Sequence, residues 1–287
     1  MEFPKEGFVM AVRLISAAVG IVIGVSILIL DNNFVYCAVI SFLSAAAVWE
    51  LTRAIKCEKF PVLRWTSVIF GAIYPTIIII KDLKFLSVPL AMAYVIMMAL
   101  IMLKLHSEVK FEQVLACGCS GGLLPVSLSC IVLLRYSPCG EPLGIFTVLF
   151  LLFCAWFGDS GAYFVGTFFG KHKLCPKISP KKTVEGLIGG VVTVGIIAGI
   201  TLLIYNSFIL SERQLNYFVL IPTAMVASLV GVVGDLSASV IKREYDVKDF
   251  GNIMPGHGGV IDRFDSVIFV APFLYISMLY LGDLIYF

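Results

Sequence analysis

The residues best suited to chemistry lie between Gly234 and Asp265. Asp235, Asp262 and Asp265 are accompanied by Ser239, Lys242, Arg243, Lys248, Asp249 and Arg263, and by the turn Gly256-His257-Gly258-Gly259. Asp235, Ser239 and Lys242 or Arg243 recur at helical spacing, which aligns a carboxylate, a hydroxyl and a cation on one face. Asp262 and Asp265 open an apolar stretch. A single acid in a helix's first turn is explained by capping, but two acids three apart also share a face. With Asp235 they suit a hard cation. Mg²⁺ takes oxygen ligands, keeps several waters, and is usually held by one or two carboxylates plus substrate phosphates. Three carboxylates with no cation near them would repel one another. Carboxylates set beside lysines and arginines therefore point to a metal–nucleotide site more than to a bare metal cage.

The glycines of the turn permit positive φ and close backbone approach. Backbone N–H groups before a helix start also suit phosphate oxygens. An ordinary reverse turn would use the same residues, and the surrounding charges favour the functional reading. His257 is the one histidine inside a polar cluster; His106 and His172 read as interfacial. Gly158-Asp159 echoes Gly234-Asp235, and each pair sits near the end of an apolar stretch that feeds a basic loop. Asp159 reads either as a second carboxylate at similar depth or as the partner of a nearby cation. The basic loop after it, residues 170–185, carries five lysines and the run Ser179-Pro180-Lys181-Lys182-Thr183. Topology alone accounts for the lysines. The run itself is a rigid hydroxyl-and-lysine turn suited to a polyphosphate. Glu50 and Arg53 are assigned no role beyond structure.

These residues are set in hydrocarbon. Of the 287 residues, 60% are hydrophobic and only 14% charged, against about 25% charged in soluble domains. Crossing a bilayer takes roughly 20 apolar residues. Nine stretches qualify, at about 8–30, 34–52, 62–80, 85–104, 113–134, 144–168, 186–206, 217–241 and 264–286. The chain is thus expected to be an all-α polytopic integral membrane protein. Its first stretch lacks a small-residue cleavage site and reads as a retained helix. A cytoplasmic N-terminus places all but Lys81, Lys84, Arg135 and Arg213 of the 21 basic residues inside. The positive-inside rule then sets the N-terminus in the cytoplasm and the C-terminus outside. Net charge, +2, carries little information by itself.

The eight cysteines show no metal-like spacing; Cys117 and Cys119 are the only close pair, and all read as small buried hydrophobes. Gly121, Gly122 and Pro125 suggest a local break in the fifth span. Polar residues concentrate in the second half. Residues 1–140 are therefore expected to be scaffold, with dimer and lipid-access surfaces, and residues 141–287 the catalytic region.

The stretch Ser239, Ile241, Lys242-Arg243, Lys248-Asp249, Gly251, Pro255, His257-Gly258-Gly259 and Asp262-Arg263-Phe264-Asp265 resembles the motif of the phosphatidate cytidylyltransferases, or CDP-diacylglycerol synthases. Met254 stands where the family usually has Leu, Ile or Phe. Trp156 to Gly186 resembles the family's second block, through Asp159, Ala162-Tyr163, Gly170-Lys171, Ser179 to Thr183, and Glu185-Gly186. For residues 1–140 the resemblance rests on hydropathy and length.

The resemblance implies the reaction CTP + phosphatidate → CDP-diacylglycerol + pyrophosphate, in phospholipid biosynthesis. It implies Mg²⁺, with room for a second cation, and a homodimer in the cell membrane whose site faces the cytoplasm. CTP, phosphatidic acid and membrane lipids are the partners, and nucleic acid is not. Catalytic roles fall to Asp235, Asp262, Lys242, Arg243, His257 and Asp265, with Asp235 and Asp262 as metal ligands. Ser239, Lys181, Lys182, Thr183, Ser179, Lys248, Asp249, Gly258, Gly259, Arg263 and Asp159 are assigned to substrate. Two other classes fit parts of the pattern. An ion-coupled transporter also uses intramembrane aspartates and Gly-interrupted helices, but here the polar residues gather on one face. A CTP-using lipid kinase would release CDP instead of pyrophosphate. The motifs D-G-x-x-A-R and D-D-x-x-D of other lipid transferases are absent.

Overall fold

The computed structural model describes residues 5–136, 143–210, 213–254, 256 and 258–286, and in the first helix side chains from Ser16 onward, 17 and 21 apart. Among them are nine α-helices: α1 (Lys5–Leu30), α2 (Asn33–Ala54), α3 (Pro61–Ile79), α4 (Ser87–Lys104), α5 (Phe111–Arg135), α6 (Leu143–Phe169), α7 (Val184–Ile204), α8 (Tyr217–Glu244) and α9 (Ile261–Leu281). Their positions match the nine expected stretches. Eight, α2 to α9, are long and apolar enough to cross a membrane, and α1 adds the shorter apolar run Ala18–Leu30. The chain is a helical, polytopic membrane protein.

The chain folds as two compact units. The first comprises residues up to Ser129 together with Glu244–Phe264; the second comprises Cys130–Arg243 and the chain from Asp265 onward. The polar segment Ser239 to Asp265 is thus shared between the units, a division that the linear pattern did not suggest.

In the first unit, the Asn32 side chain caps α2 by accepting the Phe34 N–H at 2.9 Å, and Pro61 opens α3 where no N–H is needed. The Arg64 guanidinium lies 3.4 Å from the centre of the Trp49 ring, which shelters a cation that is only 8% exposed. Helices α3, α4 and α5 meet through the Tyr94 hydroxyl, which donates to Ser67 Oγ at 3.1 Å and lies 3.3 Å from the Cys117 carbonyl. Helix α5 runs unbroken through Gly121, Gly122 and Pro125, so the expected local break is absent. Gly121 is required for another reason: a Cβ there would collide with the Tyr94 hydroxyl and Ser67.

In the second unit, α6 and α7 approach through small residues. Cβ atoms at Gly161 and Gly189 would collide with Thr193 and Val165, and one at Gly190 would press on the Gly158 carbonyl. Small residues give membrane helices close van der Waals packing where lipid offers no hydrophobic drive. Helix α7 ends in a π-helical turn, Tyr205–Ile209. There the Asn206 amide brackets Leu215, donating to its carbonyl at 3.0 Å and accepting its N–H at 2.8 Å.

The loop after α6 is not an irregular turn. Strand β1 (Lys173–Cys175) pairs antiparallel with β2 (Ser179–Thr183), with Lys173 opposite Thr183 and Cys175 opposite Ser179. Thr183 ends the ribbon and caps α7, its hydroxyl accepting the Gly186 N–H at 3.1 Å. His172, read from sequence as an ordinary interfacial residue, has its Nδ1 2.6 Å from Glu185 Oε1. Glu185 also accepts the backbone N–H groups of Lys171 and His172, each at 3.1 Å. This pins the base of the ribbon. Five cysteines (Cys37, Cys57, Cys117, Cys130 and Cys154) are buried as expected, whereas Cys119 is exposed and Cys175 half-buried.

Candidate active site

The second unit gathers three of the predicted carboxylates. Asp159 comes from the C-terminal half of α6, Asp235 from α8 and Asp265 from α9. Asp159 and Asp265 both lie within electrostatic reach of Asp235 and of each other. Lys182, from β2, forms an ion pair with Asp235, the two side chains keeping 25% and 23% of their surface exposed. The Lys182 ammonium nitrogen is itself buried, so the pair is sheltered from solvent. The charge of Lys182 also reaches Asp159, and that of Lys242 reaches Asp265. Lys242 and Arg243 occupy the last turn of α8, where cations complement the helix dipole. Arg243 Nε donates to the Ile178 carbonyl at 3.4 Å, tying the tip of the ribbon to α8.

The glycine before each echoed aspartate has a packing reason. A Cβ at Gly158 would come within 2.9 Å of Ser228 Oγ on α8, and one at Gly234 within 2.5 Å of the Asp265 carbonyl on α9. Glycine therefore lets α6 approach α8, and α8 approach α9, at the level of the carboxylates. Ser266, which sequence reasoning passed over, is 2% exposed. Its hydroxyl donates to Asp159 Oδ2 at 2.9 Å, and its N–H donates to Asp265 Oδ1 at 2.7 Å. Its only sequence signal was adjacency to Asp265.

Not all the predicted residues enter this cluster as charged groups. Thr183 is buried as a helix cap, and Ser179 opens β2. Lys181 is exposed on the same strand, and Ser239 is half-buried on α8.

The first unit holds the rest. Lys248, Asp249 and Arg263 are exposed. Asp262 is in the first turn of α9. Its Oδ2 accepts the N–H groups of Phe250 at 2.8 Å and Gly259 at 3.0 Å, closing the polar loop onto the helix start. Gly256 and Gly258 have φ of 74° and 91°, a region that disfavours side chains. Met254 and Gly258 pair across the turn, with Met254 N–H on the Gly258 carbonyl at 2.9 Å. His257 and Pro255 lie outside the described residues.

Glu50, given only a structural reading from sequence, sits against this loop. It is 1% exposed on α2, and its Oε2 accepts the Ile261 N–H at 3.1 Å. Nothing in the chain near Glu50 announced this, because its partners lie 211 residues away.

Among the described residues no three His, Cys, Asp or Glu side chains converge so as to hold a metal ion by themselves. The donor set does fit a hard cation shared with a ligand. Asp159, Asp235 and Asp265 offer only oxygens, and a hard divalent ion needs one or two such carboxylates when phosphates supply the rest.

The fold and this site define a class: a polytopic helical membrane protein with acidic and basic side chains gathered beside a lysine ribbon. The chain matches the cytidylyltransferase family over residues 11–281 and belongs to it. It is 48% identical over 132 residues to a phosphatidate cytidylyltransferase of Bacillus subtilis (strain 168), a match covering 46% of this chain and 47% of that protein. It is 45% identical over 130 residues to the Haemophilus influenzae protein of the same name, covering 45% of this chain and 44% of that one. For the Staphylococcus haemolyticus namesake the values are 43% over 136 residues, covering 47% and 50%. The chain thus matches about half the length of these curated relatives.

Proposed function

We propose that this chain is a phosphatidate cytidylyltransferase, converting CTP and phosphatidate into CDP-diacylglycerol and pyrophosphate in phospholipid synthesis. The observation that carries the reading is the convergence of Asp159, Asp235 and Asp265 with Lys182 and Lys242 in the second unit. Family membership and the names of the relatives support it.

A phosphate oxygen of phosphatidate forms a bond to the α-phosphorus of CTP. The bond from that phosphorus to the bridging oxygen breaks, and its electron pair leaves with pyrophosphate. The nucleophile is already an anion, so no proton has to move. What the protein must supply is alignment and charge neutralisation. A divalent cation, Mg²⁺ in this reading, would supply charge neutralisation at the triphosphate when bound. Asp235 is the first candidate to hold it, with Asp159 or Asp265 assisting or holding a second cation. Lys182 holds Asp235 in place until phosphates compete for its ammonium, and Lys181, Lys242 and Arg243 neutralise phosphate charge. Ser239 and Ser179 orient substrate oxygens. Asp262, Lys248, Asp249, Gly258, Gly259, Arg263 and His257 keep the roles that the family resemblance implies, Asp262 as a metal ligand.

Lipid would enter between helices with its tails still in hydrocarbon. In this reading the chemistry lies at the cytoplasmic face of the cell membrane, which the charge of the basic loops supports, and the protein is a homodimer, as the resemblance implies. The deciding experiment uses purified protein with phosphatidate, a divalent cation and CTP labelled in the α-phosphate. The reading expects the label in lipid and pyrophosphate released one for one. Phosphorylated lipid with CDP released would replace it with a kinase.

A further inference from the structure

We propose that Glu50 is a positioning residue for this reaction: from α2 it fixes the backbone of the loop that leads into α9, and through it the orientation of Asp262. The inference rests on the activity proposed above. Its geometry lies wholly within the first unit.

Glu50 is a carboxylate in a membrane helix, almost completely buried. Its Oε2 accepts the Ile261 N–H at 3.1 Å. Two glycines of the loop are shaped around it. A Cβ at Gly251 or at Gly259 would collide with the Glu50 carboxylate. The requirement for glycine at 259 is therefore steric, unlike that at Gly256 and Gly258, where positive φ imposes it.

Asp262 grips the same loop from the other side, through the Phe250 and Gly259 amides. Glu50 and Asp262 lie within electrostatic reach of each other. Two acids thus divide between them the amides of residues 250, 259 and 261. Burying a carboxylate is expensive, and an apolar side chain of similar volume commonly stabilises as well or better. A buried acid with two glycines moulded to it is costly for packing alone. It is what a second layer of side chains needs in order to hold a reacting group to a fraction of an ångström. Sub-ångström placement matters because misplacement by about 1 Å costs on the order of 10²-fold in rate.

The test uses the full chain in detergent micelles or nanodiscs, comparing wild type with Glu50→Gln, Glu50→Asp, Gly259→Ala and the double variant Glu50→Ala/Gly259→Ala. Three quantities are read: kcat and KM for CTP, hydrogen–deuterium exchange across residues 248–264, and melting temperature. Glu50→Gln keeps the volume and one acceptor. It should lower kcat by about 10- to 100-fold with little change in KM, and speed exchange in the loop while melting near wild type. Glu50→Asp should recover part of kcat. The double variant should melt higher than Gly259→Ala, because truncation at position 50 removes the collision. Wild-type kcat and wild-type exchange in Glu50→Gln would overturn the proposal. So would a drop in melting temperature with kcat unchanged. If wild type makes no CDP-lipid, the activity assignment falls separately. The exchange and the double variant then still decide whether Glu50 sets this loop.

Discussion

The Ser266 hydroxyl donates to Asp159 Oδ2 at 2.9 Å, and its backbone N–H holds Asp265 at 2.7 Å. One small residue on α9 therefore orients two carboxylates from two helices. Both contacts come from one buried residue whose position α9 fixes. The serine is inaccessible to solvent, so its role is to orient those acids and not to meet substrate.

Replacing Ser266 by alanine removes a hydrogen bond to a charged group, worth about 1.5–3 kcal/mol. The expected result is a lower melting temperature together with a loss of kcat that raising CTP does not restore. Thermal unfolding in detergent and steady-state kinetics check both parts.

The two adjacent lysines should separate. Lys182 pairs with Asp235, whereas Lys181 is exposed on the opposite side of the strand pattern. Lys182→Gln leaves a sheltered carboxylate unpaired and removes a proposed phosphate partner, so kcat/KM for CTP should fall by about 10²-fold or more. Lys181→Gln should lose less than about tenfold, with an effect that shrinks as salt rises, as for any exposed charge. Titrating CTP at two ionic strengths distinguishes them.

Asp235→Asn is expected to abolish CDP-lipid formation, by at least about 10²–10³-fold, while the protein still elutes as a folded particle in detergent. Chelating divalent cations should silence wild type, and Mg²⁺ should restore it. Asp262→Asn is expected to lose turnover as well, through its grip on the Phe250 and Gly259 amides and as a proposed metal ligand. Normal turnover in either variant would remove that aspartate from the metal assignment.

Glycine substitutions offer a steric check. Gly158→Ala and Gly234→Ala put a Cβ against Ser228 on α8 and against the Asp265 carbonyl on α9, and overpacking of this kind costs about 1–3 kcal/mol. Gly122→Ala meets nothing within 4 Å and should melt at or slightly above the wild-type temperature, since alanine is the better helix former. Melting curves of the three variants side by side give the comparison.

Much of this architecture was legible because the bilayer is a severe filter. Helices α2 to α9 announce themselves as apolar runs, since every backbone amide in hydrocarbon must be bonded within its own segment. The Gly-Asp echo was legible for the same reason: a carboxylate near a membrane is too costly to be incidental. The ribbon of β1 and β2 was not, because its lysines read equally well as topological charge. Gly121 misled because glycine and proline in sequence signal a break, whereas the Tyr94 hydroxyl that needs the space lies on another helix. Ser266 and Glu50 were invisible for a related reason. Each owes its role to a partner on another helix or loop, and no local pattern encodes which helix will be there.

The sequence alone determined that the chain spans a membrane as a helical bundle, and that its acids and cations suit phosphates and a hard cation. Those properties follow from the transfer free energy of side chains and from the chemistry of carboxylates and ammonium groups, both of which are local. Only the tertiary structure decided which acids meet. Asp159, Asp235 and Asp265 converge with Lys182 because glycines 158 and 234 let three helices close at that depth. Asp262 turns to its own loop, where Glu50 waits from α2. Distances between helices are set by packing at small residues, and packing is a property of the folded pair and not of either strand of sequence.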